Sequence, residues 1–431
     1  MLSIDFIIQN KKEVEKAIKV KNVNCDLDKI LNLDVERREL IQRIEKLRQE
    51  RNKISEEFQK TKEKSLIENA QKIKKEISKL ENKKNKIEEN LNYLLLTVPN
   101  IISKDTPIGK DESDNIEIFK HGNPPKFDFQ IKDHIEIGKK IDILDLERGV
   151  KVSGFRGYFL KNEGVLLHLG LVFEAIKLMQ ENGFTLFLPP TLLREFALIG
   201  SGHFPQGRED IYQILNPGKN EKGETVKEPI FLSGTAESPL LAYFANEILK
   251  EKDLPLKFCG FSQCYRSEVG SYGRDTKGLY RLHEFQKVEQ VVICKNDIAE
   301  SEKWLLKMRQ ISETLLQRLE MTYRVIQICS QDMGLGKYKM FDIETWMPSR
   351  NSYGETHSAS NLTDWQTRRL KIRVKDKKGE KFYPFSLNNT VVASPRILIA
   401  ILENNQQKDG SVKVPHILQK YVGKEIIKPR L

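Results

Sequence analysis

The most informative stretch of this chain is FCGFSQCYRSEVGSYGRDTKGLYRLHEFQKVEQVV, at residues 258–292. Both ends are rich in the β-branched and aromatic residues that strands prefer, and a polar, glycine-bearing segment separates them. The pattern therefore predicts a strand, a long loop and a second strand. Further strand-like runs at residues 184–190 and 287–294 alternate with helical ones such as residues 300–321. This alternation predicts an α/β (α+β) domain with a largely antiparallel sheet.

Charged and aromatic side chains lie at the inner ends of both predicted strands. Arg266 and Glu268 are two residues apart, so both are predicted on one face of the first strand. Arg281, His283 and Phe285 alternate in the same way into the second strand, and His283 receives no catalytic role. An arginine can hold a phosphate through two hydrogen bonds and a ring can stack on a base, so this group suits a nucleotide. An ordinary hairpin with cross-strand charge pairs is the simpler alternative.

The same residues resemble a known motif. YRSE at residues 265–268, followed by a loop and R-x-x-x-F at residues 281–285, is similar to motif 2 of the class II aminoacyl-tRNA synthetases. The segment EVGSYGRDTKGLYRLHEFQKVE, at residues 268–289, resembles the version found in the seryl-tRNA synthetase family, whose loop typically reads GSYGRDT-x-G. A string of this length is highly specific, so it favours this family over an ordinary hairpin.

The resemblance extends over nearly the whole chain. GFTLFLPPTLL at residues 183–193 looks like motif 1, with Pro189 at the position of the dimer interface, and SGTAE at residues 233–237 looks like the family's T-x-E loop. Residues 341–373 match the segment that precedes motif 3, which itself falls at residues 387–406. The resemblance implies the class II fold, an antiparallel sheet flanked by helices, and a homodimer.

The family's ATP site can be carried over residue by residue. The resemblance implies that Arg266 holds the α-phosphate and the serine carboxylate, that Glu268 binds the adenine edge, and that Phe285 stacks beneath the base. Arg396 would close over the base and reach the γ-phosphate, and Arg281 would meet the outer phosphates; Arg266 and Arg396 are the implied catalytic residues. The other implied ATP-binding residues are Ser267, Glu355, Thr356, His357 and Ser358, of which Glu355 and Ser358 would hold Mg²⁺.

The resemblance also implies a pocket for L-serine. Besides Arg266, its residues would be Thr235, Ala236, Glu237, Glu289 and Thr390. A serine carboxylate is ionised at pH 7 and can attack the α-phosphorus without a general base, so the reaction needs positioning and charge neutralisation. A pocket that hydrogen-bonds the serine hydroxyl rejects alanine, because its buried polar groups would lose their partner. Threonine would have to be excluded by steric fit.

Motif 3 departs from the family's usual pattern. The family typically carries glycines on a pattern like G-L-A-x-G-R, whereas this chain reads VVASPR at residues 391–396. Ser394 is predicted to cap a helix and Pro395 to occupy its first turn, which would place Arg396 at the helix N-terminus, where an anion is favoured. Val391 in place of glycine is expected to change the approach of the backbone to the nucleotide and the shape of the serine pocket.

The segment before motif 3 departs as well. ETHS at residues 355–358 replaces a more usual acid followed by Ser-Ser or Cys-Ser, with His357 as the unusual residue. We expect these departures to tune the activity rather than to abolish it.

The first hundred residues have a different texture. Residues 34–95 contain no glycine and no proline, and apolar residues recur there in steps of three and four, the spacing of a coiled-coil seam, with Arg51 and Lys84 in two of the slots. The seam comprises Leu40, Ile44, Leu47, Ile54, Leu66, Ala70, Ile73, Ile77, Leu80, Ile87, Leu91 and Leu94. We predict two antiparallel helices with a tip near residues 60–65, each reaching roughly 40 Å.

Basic side chains crowd the exposed positions of both predicted helices. They are Arg37, Arg38, Arg43, Lys46, Arg48, Arg51, Lys53, Lys72, Lys74, Lys75, Lys79, Lys83, Lys84 and Lys86. Interspersed acids also allow a solvated coiled coil with i,i+4 pairs. The resemblance implies instead the family's tRNA-binding arm, which would attach to phosphates electrostatically. We therefore predict an arm at residues 1–104, with its coiled coil at about 34–95, and a catalytic domain at residues 105–431.

Composition limits the remaining possibilities. The 431 residues carry a net charge of +11, which fits either a nucleic-acid partner or a lysine-rich proteome. The five cysteines form no CxxC pair and their count is odd, so we expect reduced thiols, a cytoplasmic location and no structural zinc. The N-terminus lacks a signal-peptide pattern, and no apolar run approaches the ~20 residues needed to span a bilayer, so no membrane is expected.

The predicted activity is the ATP-dependent conversion of L-serine to seryl-adenylate and its transfer to the 3′ end of tRNA(Ser). The resemblance implies tRNA(Sec) as a second substrate. A non-catalytic tRNA-binding relative on the same fold is the main alternative, but it predicts loss of Arg266, Glu268, Glu289 or Arg396, and all four are present. A ligase acting on carrier proteins would lack the arm and use zinc, and a class I synthetase would carry HIGH and KMSKS strings that are absent.

Overall fold

A computed structural model of the chain describes residues 1–269 and 277–430. The chain divides into two compact units, Met1–Pro99 and Asn100–Leu431. That the first unit binds tRNA and the second carries out catalysis stays a prediction. No helix among the described residues is long and apolar enough to cross a membrane.

The first unit is helical. Its helices are α1 (Ile4–Gln9), α2 (Lys11–Val20), α3 (Leu27–Thr61) and α4 (Lys64–Thr97). Ile44, Leu47 and Ile77 are buried between α3 and α4, as the seam predicts. The chain reverses direction just after α3, where Lys62 adopts a left-handed backbone conformation with φ of 56°. The predicted antiparallel coiled coil is therefore confirmed.

Ion pairs connect the two long helices. Arg48 lies 2.7 Å from Glu81 and Lys83 lies 2.6 Å from Glu36. These pairs are exposed, and such pairs each contribute at most about 1 kcal/mol. The buried seam, rather than the charges, therefore stabilises this pair of helices.

The second unit contains a large sheet and the helices that cover it. Its helices are α5 (His134–Lys140), α6 (Leu146–Ser153), α7 (Glu163–Glu181), α8 (Glu195–Ser201), α9 (Glu237–Ala242), α10 (Ile298–Arg318), α11 (Trp365–Arg369), α12 (Ser394–Asn404) and α13 (His416–Val422). Its strands are β1 (Ile116–His121), β2 (Leu144–Asp145), β3 (Phe159–Leu160), β4 (Thr185–Phe187), β5 (Leu192–Arg194), β6 (Ile230–Leu232), β7 (Ile248–Lys250), β8 (Leu256–Tyr265), β9 (Glu284–Cys294), β10 (Tyr323–Gln327), β11 (Lys339–Met347), β12 (Ser352–Asn361), β13 (Arg373–Lys375), β14 (Lys381–Phe382), β15 (Phe385–Ala393), β16 (Val412–Lys413) and β17 (Ile426–Ile427).

The central sheet confirms the predicted fold class. Within the described residues it has eight strands in the order β1-β10-β11-β12-β15-β9-β8-β4. All neighbours are antiparallel except β4 and β8, which run parallel at one edge. The side chains of β9 and β15 are buried along almost their whole length, because helices and loops cover both faces of the sheet. These two central strands therefore form a well-packed support for residues at their surface.

Candidate active site

A cavity of about 260 Å³ lies in the second unit, on residues of β9, β12 and β15 and of the segments that flank them. Most residues predicted for the ATP and serine sites line it. They are Thr235, Glu237, Arg266, Glu268, Arg281, Phe285, Glu289, Glu355, Thr356, Ser358, Thr390 and Arg396. Residues that are far apart in the chain therefore meet around one cavity.

The pairing of β8 with β9 places the first arginine beside the aromatic ring. Tyr265 is opposite Glu284 in the register, so Arg266 emerges at the end of β8 next to Phe285. The guanidinium carbon of Arg266 lies 5.4 Å from the centre of the Phe285 ring. Its Nε donates to the carbonyl of Gly234, 3.3 Å away, which ties it to the predicted T-x-E loop. An arginine and a partly buried aromatic ring thus share one wall of the cavity.

The alternation predicted across both strand ends is only partly correct. Strand β8 ends at Tyr265 and β9 begins at Glu284, so neither Glu268 nor the residues before 284 belong to a regular strand. Glu268 still faces the cavity because its backbone is left-handed, with φ of 54°, and its carboxylate lies 3.1 Å from the Arg281 guanidinium. His283 instead lines a neighbouring cavity with Tyr212. Period-two alternation failed there because the backbone is irregular.

The second arginine comes from the start of α12. This helix begins at Ser394 with Pro395 in its first turn, as predicted. The prediction that Ser394 caps the helix is wrong: Ala393 is the N-cap, and the Ser394 hydroxyl contacts Nδ1 of His168. Arg396 lies in the first turn, and its Nη1 is 3.0 Å from the Glu355 carboxylate.

Val391 occupies an irregular position in β15. The register against β9 shifts between Thr390 and Val392, which leaves Val391 as the extra residue of a bulge. Its side chain is fully buried in the hydrophobic core and is not among the residues that line the cavity. Valine in place of glycine therefore adds core packing and does not project a side chain into this cavity.

Two buried carboxylates lie at the predicted serine end of the cavity and differ in their electrostatics. Glu237 accepts hydrogen bonds of 2.6 Å from Gln366 and from Asn388. Burial acts to raise the pKa of Glu237, but nearby positive charges, Lys337 foremost, outweigh it, so the pKa is lowered. Burial raises the pKa of Glu289, and the contacting ammonium of Lys287 acts against it. The pocket therefore holds a firmly ionised carboxylate suited to an α-ammonium group.

Several lining residues were not predicted from the sequence. Lys287 lies between Phe285 and Glu289 on β9 and Asn388 precedes Thr390 by two on β15, so period-two alternation along these strands could have identified both. The remaining lining residues that were missed are His203, Leu279, Tyr280, Leu282, Lys337, Ala393 and Pro395. His203 and Lys337 carry no local signal, because only the tertiary fold brings them to the cavity.

Three predicted site residues do not line the cavity. Ala236 is fully buried and packs against Leu240 in a hydrophobic cluster. The Ser267 hydroxyl donates to the carbonyl of Glu209, 2.6 Å away, outside the cavity. His357 is buried, and this burial lowers its pKa to about 4 although a hydrogen bond with the Val391 backbone acts in the opposite direction. These side chains support the site from behind or beside it.

The predicted Mg²⁺ ligands lie together on one strand. Glu355 and Ser358 both come from β12 and line the cavity. Burial acts to raise the pKa of Glu355, but the charges of Arg396, Arg266 and Arg281 together outweigh it and the pKa is lowered. Next to them, Asp342 is buried and its Oδ1 has no hydrogen-bond partner among the described residues. Carboxylate and hydroxyl oxygens of this kind suit a hard cation.

The loop of the predicted motif 2 lies outside the described residues. It corresponds to residues 270–276, which read GSYGRDT.

Comparisons with known proteins agree with this geometry. Residues 221–405 match the family model described as tRNA synthetase class II core domain (G, H, P, S and T). Residues 1–102 match the seryl-tRNA synthetase N-terminal domain. The fold is thus that of the class II aminoacyl-tRNA synthetases.

Full-length relatives narrow this class. The chain is 43% identical to a serine–tRNA ligase of Deinococcus radiodurans, over 98% of both chains, and 43% identical to one of Dictyoglomus thermophilum over 100% of both. It superposes on the seryl-tRNA synthetase of Pyrococcus horikoshii, solved with ATP, with a TM-score of 0.91 at 38% identity over 100% of both chains. The chain belongs to the seryl-tRNA synthetase family.

Proposed function

We propose that this protein activates L-serine with ATP and transfers the seryl group to the 3′ end of tRNA(Ser). One observation carries the proposal: Arg266, Phe285 and Arg396 line the same cavity as the carboxylates Glu237 and Glu289. A phosphate-binding, base-stacking end and an acidic end therefore adjoin within one cavity. This arrangement suits ATP beside a small amino acid.

The first step joins serine to the α-phosphate. A carboxylate oxygen of serine attacks the α-phosphorus, and the bond from that phosphorus to the β-phosphate oxygen breaks, releasing pyrophosphate. Arg266 neutralises the α-phosphate and holds the attacking carboxylate, while Arg281 and Arg396 bind the outer phosphates. Such charge neutralisation in a preorganised site is a major source of rate enhancement. Glu237 holds the ammonium group, and Glu289 with Thr390 accommodates the hydroxyl.

Mg²⁺ completes the proposed ATP site. Glu355 and Ser358 would hold it, and the neighbouring Asp342 adds a buried carboxylate to their surroundings. When bound, the ion screens phosphate charge and orients the outer phosphates.

The second step and its partner follow from the family. The terminal ribose hydroxyl of the tRNA attacks the carbonyl carbon of seryl-adenylate and AMP leaves. The basic helices α3 and α4 would grip the body of tRNA(Ser), with its long variable arm, mainly through backbone and shape. We extend the proposal to tRNA(Sec).

We also propose a homodimer and a cytoplasmic location. Among the described residues, strand β4 is the last strand of the sheet, and it carries an exposed leucine, Leu186. Exposed apolar side chains continue on α7 and beyond β4: Val165, Leu166, Leu169, Phe173 and Leu188. A sheet edge that is apolar and open in this way is usually covered by an interface, and a second copy of this chain would cover it. The unpaired cysteines fit a reducing compartment.

Aminoacylation of total tRNA with each of the twenty amino acids tests the proposal. We expect charging with serine alone, together with serine-dependent exchange of pyrophosphate into ATP. A folded protein that binds tRNA(Ser) without any exchange would instead be a non-catalytic relative.

A further inference from the structure

A buried carboxylate connects three segments behind the ATP end of the cavity. Glu403, on α12, is fully buried. It accepts hydrogen bonds from the backbone N–H and from Nδ1 of His134, each 3.0 Å long. It also accepts from the backbone N–H of Ser349 at 3.0 Å and from its hydroxyl at 2.9 Å. One side chain therefore joins the start of α5, the segment before β12 and the helix that carries Arg396.

The other nitrogen of His134 holds a fourth segment. Its Nε2 lies 3.1 Å from the backbone nitrogen of Leu279 and accepts that N–H. Since Nε2 accepts, the ring proton is on Nδ1, which donates to Glu403. Gly278 has φ of 66°, and a Cβ there would lie 2.0 Å from Nε2 of His134. The imidazole thus packs directly against the chain that follows residues 270–276.

The segment that His134 binds at Leu279 continues into the cavity. Leu279 and Tyr280 line it, whereas His134 and Glu403 do not. The carbonyl of Tyr280 accepts from Nε of Arg396 at 3.1 Å, and the Arg396 guanidinium lies 4.6 Å from the Tyr280 ring centre. Tyr280 is therefore, together with Glu355, a direct neighbour that orients Arg396.

We infer that His134 and Glu403 are positioning residues for ATP. The inference rests on the proposed function, since it concerns the arginine proposed for the base and the γ-phosphate. Through Leu279 the pair fixes Tyr280, and through Tyr280 it fixes Arg396. The serine end of the cavity, around Glu237, is not connected to it in this way. Loss of the pair should therefore weaken ATP binding selectively.

Two substitutions of His134 separate its contact with Glu403 from its contact with Leu279. His134→Asn retains a donor near the Nδ1 position for Glu403 but removes the acceptor for Leu279. His134→Gln reaches the Nε2 position and can present its oxygen to the Leu279 N–H. In pyrophosphate exchange we expect His134→Asn to raise the KM for ATP about tenfold, as the loss of a hydrogen bond to a buried group does, with the KM for serine unchanged. His134→Gln should restore most of the ATP affinity.

Glu163→Gln is the matched control, because Glu163 is also buried and bound to basic residues, Lys424 and Arg430, away from the cavity. It should lower thermal stability without changing the KM for ATP. An unchanged KM for ATP in His134→Asn, an equal rise in both KM values, or a His134→Gln protein as impaired as His134→Asn would overturn the inference. Absence of exchange in the unmodified protein would contradict the proposed function instead.

Discussion

At the scale of single residues, the proposed site depends on a few positive charges that would lie next to the phosphates of ATP. Arg266 contacts both the Phe285 ring, at 5.4 Å, and the Gly234 carbonyl, at 3.3 Å. Its position is therefore set by the strand end and by the T-x-E loop together. A guanidinium fixed in this way would need little reorganisation in its proposed role at the α-phosphate.

Replacement of Arg266 by alanine should reduce kcat/KM for pyrophosphate exchange by about 10²–10³-fold, since a preorganised donor to the reacting phosphate is lost. Steady-state kinetics of the purified variant would measure the change. Arg368→Ala is the control, because Arg368 pairs with Asp364 at 2.7 Å outside the cavity and should leave the rate unchanged. Nearly normal kinetics of the Arg266→Ala variant would show that Arg266 has no role in the reaction.

The acidic and basic groups around the cavity also make stability depend on pH. Burial lowers the pKa of His203 to about 4, whereas an unfolded histidine has a pKa of about 6.5. Below pH 6.5 the unfolded chain therefore binds more protons at this position than the folded protein. The stability contributed by the neutral imidazole is complete above pH 6.5 and is lost as the pH falls towards 4.

Replacement of His203 by glutamine should accordingly flatten the acid side of the stability profile. Between pH 7 and pH 5 the free energy of unfolding should fall by up to about 2 kcal/mol less in the variant than in the unmodified protein. Urea unfolding at both pH values measures this difference. His416→Gln, at an exposed position of α13, should behave like the unmodified protein. Parallel pH profiles for all three proteins would contradict the assignment.

At the scale of elements, we propose that the two long helices act through their surface. Their buried seam includes Ile44, Leu47 and Ile77, while charged residues of both signs, with an excess of basic ones, cover the outside. Several of these bases are occupied by cross-helix pairs such as Arg48 with Glu81. The remaining positive charge suits a phosphate backbone.

Deletion of residues 36–92 should separate the two steps of the reaction. Serine-dependent pyrophosphate exchange should remain within about twofold of the intact protein, because the cavity lies wholly in the second unit. Charging of tRNA(Ser) should fall on the order of 10²-fold or more, with most of its salt dependence lost. An equal loss of both activities would argue against separate roles for the two units.

At the scale of the whole molecule, the sheet ends in a strand that pairs on only one side. Strand β4 is parallel to β8 and forms the last strand of the sheet within the described residues. Leu186 on this strand is 42% exposed and Leu188 just beyond it is 81% exposed. Burial of this apolar surface in a dimer would contribute about 25 cal/mol of stabilisation for each Å² removed from water.

Leu186→Asp should therefore shift the protein towards monomers, since a buried, unpaired carboxylate at the interface is costly. Light scattering coupled to size-exclusion chromatography would give the mass. Leu306→Asp is a matched control, because Leu306 on α10 is also 42% exposed. A dimer that tolerates the first change as well as the second would place the interface elsewhere.

The resemblance to the seryl-tRNA synthetases supplied most of the predicted cavity residues. Local patterns in the sequence predicted the helical pair, the strands around motif 2 and the start of α12. These features depend on interactions between residues close in the chain: a seam at steps of three and four, period-two alternation within regular strands, and proline in a first helical turn. Where the backbone leaves regular geometry the same rules failed. His283 turns away from the cavity, and Ser394 contacts His168 instead of capping α12.

Only the tertiary structure decided which distant groups complete the site. His203 and Lys337 reach the serine end, and His134 and Glu403 meet behind the ATP end, although long stretches of chain separate each pair. Their proximity follows from the register of the sheet and from the helices packed on it. A sequence pattern reports short-range periodicity, whereas these contacts depend on the path of the entire chain.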